Sequence, residues 1–363
     1  MSRSTSHKSA LYSPLTTLTP SPLSVTAPLT PPNFLLGTYY GNQGWSIESV
    51  KAMESWQGKK NTVVNLFTNW DSAPQTIDNL FKQQLPTLWT NGNIPLVTWE
   101  PQLAQNTPDN IEVLIAQGQF DAYITDWATQ MKKFLSGTDG LYGNTDDRRA
   151  YLRLGHEMNG DWYAWSAAKG NNSTNDFVQM WRHVKEIFSI QGIESNHLQW
   201  MWSVNNTDVG GFRAESFYPG DAYVDWMAID GYNWGTSQSW SSWESPTQVF
   251  GDMITRLRSV SQKPIAITEF GSSSQGGNKS NWTTSAFQYF SQQGIKMAVS
   301  FNQDKETDWA VFGGIKGNST YSYKGKSYNA YSSYKTAAKT YGRVSQLNLS
   351  KIVTDLEFAG SFA

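Results

Sequence analysis

Short apolar runs punctuate the chain eight times, each giving way to polar residues at its C-terminal end, and most are separated from the next by a helix-length segment. They fall at about 34–40, 61–67, 94–99, 150–156, 198–204, 226–230, 264–269 and 296–301. Helices are predicted at about 46–57, 76–91, 120–135, 174–190, 246–260 and 281–293. In the fourth of these, Phe177, Val178, Trp181, Val184 and Ile187 follow Asp176 at the spacing of a helix that lays one face on a sheet. Strands alternating with helices imply parallel strands joined by crossovers. Eight of them point to an α/β fold with a single (β/α)8 barrel, for which about 250 residues or more is an ordinary length. A doubly wound open sheet fits the same alternation and is the alternative.

The barrel is assigned to residues 34–342. Residues 1–33 are different in kind: rich in Ser and Thr, they hold six of the fourteen prolines and no acidic residue. Such a segment cannot bury enough apolar surface to order itself, so a disordered tail is expected, either a processed segment or a mis-assigned start. Residues 343–363 are set apart as a C-terminal extension.

Charged residues make up 16% of the chain, against a usual value of about 25%. The net charge of −2 offers no basic field for nucleic acid. No apolar run reaches the roughly eighteen residues of a membrane span, and the N-terminus lacks the apolar stretch of an export signal. Cysteine is absent, which excludes disulfides, thiolate metal sites and a cysteine nucleophile while leaving the compartment open. Seventeen Trp, seventeen Tyr and seventeen Phe are more than a core needs, and Trp faces stack on the apolar C–H faces of sugar rings. A neutral polysaccharide suits this balance.

In a (β/α)8 barrel the C-terminal strand ends carry the chemistry. The third offers Trp99 and Glu100; the fourth Arg153, His156 and Glu157, then Asn159 and Trp162; the fifth Asn205 and Asn206. The sixth offers Asp230 and Tyr232, the seventh Glu269, and the eighth Asn302 before Asp304, Glu306, Asp308 and Trp309. Of that last group only Trp309 is assigned to a sugar subsite. Glu157 and Glu269 each stand where an apolar run meets glycine. Glycosidic cleavage requires such a pair, one carboxyl donating a proton and the other attacking or activating water. His156-Glu157 lacks the second histidine of a zinc helix, Gly160 standing in its place, so neither metal nor cofactor is expected. Asp146, Asp147, Arg148 and Arg149 read as a solvated loop.

Three ordered motifs resemble glycoside hydrolase family 26, a family of retaining (β/α)8 glycanases. They are Arg153-x-x-His156-Glu157-Met158-Asn159-Gly160 with Trp162 and Trp165 following, Asp230-Gly231-Tyr232, and Thr268-Glu269-Phe270-Gly271, and the similarity covers most of 34–315. The resemblance implies Glu157 as acid/base and Glu269 as nucleophile. It also implies His156 and Trp162 as contacts near the cleavage point, Arg153 and Tyr232 orienting the nucleophile, and Asp230 supporting the site. Apolar enclosure by Trp162 and Tyr163 would keep Glu157 protonated, and hydrogen bonds from Arg153 or Tyr232 would keep Glu269 ionised.

Mannan-degrading members commonly carry a histidine near the end of the third strand, where this chain has Trp99-Glu100-Pro101. That pattern looks more like the branch acting on β-1,3-1,4-glucan, with β-1,4-mannan and β-1,3-xylan as alternatives. Aromatic residues in long loops favour endo action in an open cleft, and the Gly/Ser-rich loop 272–278 is expected to be mobile. The competing class is a barrel that binds polysaccharide without cleaving it. The expected protein is a monomer at the cell envelope or outside the cell, acting on a β-linked polysaccharide with no nucleic-acid or membrane partner.

Overall fold

A computed structural model of the chain describes residues 34–41, 44–343 and 350–362. The stretch 1–33, read from sequence as a disordered tail, lies outside the described residues. Eight parallel strands pair in chain order: β1 (Phe34–Tyr39), β2 (Val63–Trp70), β3 (Ile94–Leu103), β4 (Ala150–Leu154), β5 (Leu198–Asn205), β6 (Trp226–Asn233), β7 (Ile265–Ser272) and β8 (Met297–Phe301). β8 returns to pair with β1, from Leu35 opposite Met297 to Tyr39 opposite Phe301, so the sheet closes into a barrel. Closure excludes the open doubly wound alternative.

Between the strands run α1 (Glu48–Gln57), α2 (Pro74–Asn79), α3 (Leu85–Thr90), α4 (Ile111–Ala116), α5 (Asp121–Leu135), α6 (Thr174–Ile190), α7 (Pro246–Val260) and α8 (Lys279–Gln292). A wide π turn, Leu80–Gln84, interrupts the helix predicted over 76–91. Pro86 has no N–H to give to the carbonyl four residues earlier and its ring crowds that carbonyl, so the ladder widens there. α6 starts where predicted, on a capping box in which Ser173 and Asp176 satisfy each other's backbone N–H groups. After β8 come a hairpin, β9 (Ser319–Tyr323) with β10 (Lys326–Ala330), and α9 (Ser332–Tyr341), none of them predicted. Only Tyr334, Ala337 and Ala338 of α9 are buried, too thin a stripe to read as a helix period.

Inward and outward positions alternate along each strand. Leu35, Val63, Ile94, Leu96, Tyr151, Met201, Trp226, Ala228, Ala266, Met297 and Val299 fill the barrel interior, while Leu36, Val64, Val97, Leu152, Met227 and Ile267 face the helices. The C-terminal residues close the underside, where Ile352, Val353 and Phe358 join the interior cluster and the Tyr151 hydroxyl donates to the Phe358 carbonyl at 3.1 Å. This corrects the reading of Asp147 and Arg149 as solvated, since both are fully buried. The Arg149 guanidinium donates to the Val353 carbonyl at 2.8 Å, pairs with Asp355 and lies over the Phe358 ring. Asp147 accepts from the amides of Gly143 and Asn144.

One buried carboxyl has no such compensation. Glu112 of α4 is fully buried, and neither carboxyl oxygen has a hydrogen-bond partner. Burial, reinforced by Asp176, pushes it well above the usual carboxylate range. The folded state therefore holds a proton that the unfolded state releases near pH 4.3, and stability falls as pH rises above that value toward the folded-state pKa. Glu112→Gln, which mimics the protonated form at every pH, is expected to stabilise the fold by about 1–3 kcal/mol near neutral pH. At about pH 4 no difference is expected. Thermal unfolding of both proteins at the two pH values checks this; an equal difference at both would mean that packing, not ionisation, separates them.

Candidate active site

A cleft of about 1080 Å³ opens at the C-terminal ends of the strands, at the large end for ligand pockets and roomy enough for several sugar rings. Its floor is a polar layer immediately above the apolar interior. Asn65 accepts from the Thr98 hydroxyl at 2.8 Å, and Thr98 accepts from Arg153 Nε at 2.9 Å. Arg153 Nη1 donates to both Asp230 oxygens at 2.8 and 2.7 Å; Thr268 and Ser203 donate to the same carboxylate at 2.7 and 3.0 Å. Arg153 and Asp230 are both fully buried. Desolvation raises the Asp230 carboxyl, whereas the guanidinium and the two hydroxyls act to hold it charged.

Glu269 stands one layer higher. Arg153 Nη2 donates to its Oε1 and the Tyr232 hydroxyl to its Oε2, each at 2.5 Å, so two short bonds fix the carboxylate from opposite sides. Strict alternation would turn Glu269 away from the barrel, because Ala266 and Thr268 already face in. A bulge prevents this. On β6 the residues opposite Ile267 and Glu269 are the consecutive Ile229 and Asp230, so β7 carries one extra residue and both Thr268 and Glu269 point inward.

Glu157 lies just beyond β4, where the chain turns through Gly155 at φ 51° and Glu157 itself at φ 54°. That left-handed conformation costs a glutamate about 1–2 kcal/mol and persists because neighbours hold it. The Glu157 amide donates to the Ser203 carbonyl at 2.9 Å, the Gly160 amide to the Glu157 carbonyl at 2.9 Å, and Trp165 Nε1 to the His156 carbonyl at 2.8 Å. Trp162 Nε1 donates to Glu157 Oε2 at 2.9 Å. Gly160 allows that approach, since a Cβ there would lie 2.5 Å from the Trp162 ring. Burial first, then the charges of Asp230 and Glu269, push the Glu157 carboxyl well above its usual range, against the opposing pulls of Trp162 and Arg153. One carboxyl is thus disposed to hold a proton, and the other is fixed by two donors.

His156 is buried beneath the cleft, its Nε2 3.1 Å from the Tyr163 hydroxyl and its ring against Phe67. Burial and the nearby Arg153 and Lys305 push the imidazole well below its usual value, so it is neutral. Glu100 lines the cleft as predicted, and burial raises its carboxyl to about 7, Arg153 opposing and Glu269 adding to the rise. Trp309 is only 1% exposed yet forms part of the wall, its ring 4.8 Å from those of Tyr232 and Trp234. Asn205 and Asn206 also reach the cleft.

Trp99 does not. It is fully buried on the outward face of β3, stacked 4.1 Å from Trp127 and packed against Trp70. Its expected sugar contact is therefore withdrawn: Thr98 and Glu100 face in, so the residue between them must face the helices. The loop 272–278, expected to be mobile, is tied on both sides, the Ser273 amide donating to Asn233 and the Ser274 amide to Asp308. Asp304 serves a different loop, the one after β8, accepting from the amides of Ala310 and Ile315.

Several wall residues were not singled out from sequence. Tyr39, Phe67 and Phe301 line the cleft, as do Trp234 and Trp240, with Trp240 70% exposed. Lys305 and Glu306 also line it, beside Trp309. The usable signal lay in the strand period: Tyr39, Phe67 and Phe301 each fall an even number of residues beyond an inward apolar position. Among the described residues no group of three or more His, Asp or Glu side chains is placed to hold a metal ion.

The sequence pattern of glycosyl hydrolase family 26 matches residues 76–263, a little over half of the chain, taking in Glu157 and stopping short of Glu269. Endoglucanase H of Acetivibrio thermocellus is 37% identical over 282 residues, which is 76% of this chain and 28% of that protein. Mannan endo-1,4-beta-mannosidase A and B of Caldalkalibacillus mannanilyticus is 26% identical over 220 residues, 56% of this chain and 39% of that one. The chain thus spans well under half the length of either relative. Among solved structures, the catalytic domain of an endo-beta-1,4-mannanase from Bacillus sp. JAMB-750 superposes with a TM-score of 0.61 at 18% identity, covering 86% of this chain and 87% of that one. At that identity the likeness is one of fold.

Proposed function

This chain belongs to glycosyl hydrolase family 26 and is a glycoside hydrolase, and from that premise we propose that it cleaves internal bonds of a β-linked glucan with retention of configuration, using Glu157 as acid/base and Glu269 as nucleophile. The observation that carries the assignment is the contrast between the two carboxyls on one cleft: Glu157 buried against Trp162 and pushed toward its protonated form, Glu269 gripped by Arg153 and Tyr232. Glu157 gives its proton to the leaving oxygen while Glu269 attacks the anomeric carbon. The second step reverses the roles of proton and water: Glu157, now ionised, takes a proton from the water that displaces Glu269 from the glycosyl ester. Arg153 and Asp230 hold the nucleophile in line, and neutral His156 and Trp162 border the sugar at the cleavage point. A cleft long enough for several rings, lined in part by the exposed Trp240, favours attack within a chain over attack at its end.

Substrate choice rests on Glu100, a carboxyl in the C-terminal half of β3; mannan-degrading members commonly carry a histidine near the end of that strand. The relative matched over the larger share of this chain is named for a glucanase. On these grounds we favour β-1,3-1,4-glucan. β-1,4-Mannan is the second reading, supported by the mannanase names of the other relative and of the fold neighbour. Because such a polymer is too large to enter a cell, the site of action we propose is the envelope or beyond it.

Reducing-sugar release from lichenan, galactomannan, β-1,3-xylan and carboxymethylcellulose separates these readings, and an NMR time course on the cleaved polymer reports the first-formed anomer. Release from lichenan above the rest, with the β-anomer appearing first, is expected. Release from galactomannan alone would overturn the glucan assignment, and an α-anomer first would remove Glu269 from the nucleophile role.

A further inference from the structure

Lys279, the first residue of α8, lies outside the catalytic machinery and is 2% exposed. Its ammonium donates to three consecutive carbonyl oxygens, those of Asp308, Trp309 at 2.9 Å and Ala310 at 3.0 Å. All three N–H groups are thereby used. The helix does not call for a cation here, because the N-terminal end of a helix dipole repels positive charge. What the lysine does hold is the segment behind the cleft wall. Trp309 packs at a tilt against Tyr232, whose hydroxyl grips Glu269, and Trp309 Nε1 donates to Glu306 at 3.1 Å. On its other side that segment is fixed by backbone amides donating to Asn302 and Asp304. Lys279 supplies the restraint on the carbonyl side.

We propose that Lys279 is a positioning residue for the substrate cleft, its ammonium pinning the 308–310 backbone so that Trp309 and Tyr232 keep their places, and that loss of its proton on the alkaline side loosens the wall. An amine has two N–H groups and a lone pair where three carbonyls converge, so deprotonation removes one hydrogen bond and sets a lone pair against an oxygen. The groups facing the ammonium are Asp308 at 3.9 Å, Asp304 on the same loop, Lys316 within 4.0 Å of Asp308, and the Tyr331 ring at 4.9 Å ahead of α9. Burial outweighs the two aspartates and brings the lysine down to about 8, within reach of ordinary assays.

The test compares wild type, Lys279→Met and Lys279→Arg from about pH 6.5 to 9.5, following KM and kcat on whichever polymer is cleaved and, in parallel, the near-ultraviolet circular dichroism of the Trp309, Tyr232 and Trp234 cluster. It rests on the reading of the cleft as a polysaccharide site, but the dichroism needs no substrate and so judges the lysine even if no polymer is cleaved. In wild type, KM should rise about tenfold as pH passes 8, the worth of one charge-assisted hydrogen bond, with a smaller fall in kcat and a dichroism step at the same midpoint. Lys279→Met should show the raised KM already at pH 7 and no step. Lys279→Arg, whose charge persists, should keep a low KM and lose the step; it also serves if the Met variant does not fold. A wild-type dichroism spectrum flat across the range, a step surviving in Lys279→Arg, or a folded Lys279→Met with wild-type KM would each overturn the proposal.

Discussion

Glu269→Gln is expected to lower kcat on polymer roughly 10⁴-fold or more while leaving the fold intact. The amide occupies the same volume, can accept from Arg153 through its oxygen and can donate to Tyr232 if that hydroxyl turns, so the hydrogen-bond frame survives. What disappears is the carboxylate able to bond the anomeric carbon. Glu269→Ala carries a sharper signature. The space vacated beside Arg153 suits a small anion such as azide or formate, and one entering there attacks from the nucleophile's side. It should restore turnover and give a product of inverted configuration. Circular dichroism and thermal unfolding confirm that the variants fold; a Gln variant keeping a tenth of the wild-type rate would dismiss Glu269 as nucleophile. Arg153 is no substitute target for such a test, since removing it would strand Asp230 and Glu269 as uncompensated buried charges, at about 3–5 kcal/mol.

Glu157→Ala is expected to reduce kcat/KM on polymer about 10²–10⁴-fold, the usual contribution of one general acid. The loss should depend on the leaving group. A glycoside with a nitrophenolate leaving group departs without protonation, so its first step should run near the wild-type rate, while the second step, deprived of its base, becomes slow. A burst of nitrophenol followed by a low steady state is the expected trace. The pH profile carries the same assignment. Because the acid must be protonated for attack, kcat/KM falls as pH rises through its value, and burial moves that limb upward from the ordinary carboxylate range. In Glu157→Ala with the activated substrate that limb should vanish. An unchanged alkaline limb, or equal loss on both substrates, would assign the acid elsewhere. Both profiles are taken on the Lys279→Arg background, which removes the Lys279 contribution to KM above pH 8.

Much of this site is legible in the amino-acid sequence alone. Glu157, Glu269, Arg153, Asp230 and Tyr232 stand at strand ends, and strand ends are visible wherever an apolar run stops at glycine. The helix starts at Ser173 and Ser245 were equally visible, because a capping box is a local interaction written in adjacent residues. Trp99 was misplaced for a physical reason. Leu96 and Val97 are both apolar because a parallel strand in a barrel is buried on both faces, so the sequence gives no alternation from which to tell inside from outside. Arg149 escaped for another: its partners Val353 and Asp355 lie about two hundred residues away, and nothing local distinguishes a buried arginine from a solvated one.

The amino-acid sequence by itself determined the barrel and the two carboxyls, because strand and helix periods, caps and strand-end glycines act over a few residues. Only the tertiary structure decided which way those carboxyls face. Glu269 turns inward because β7 takes one more residue than its neighbours between the same pairings, and that bulge is set by the register of β6 and β8 around it. Glu157 is held in a left-handed turn by carbonyl and indole groups supplied from β5 and from the loop beyond the turn. Both are forces between segments distant along the chain, and no local pattern records them.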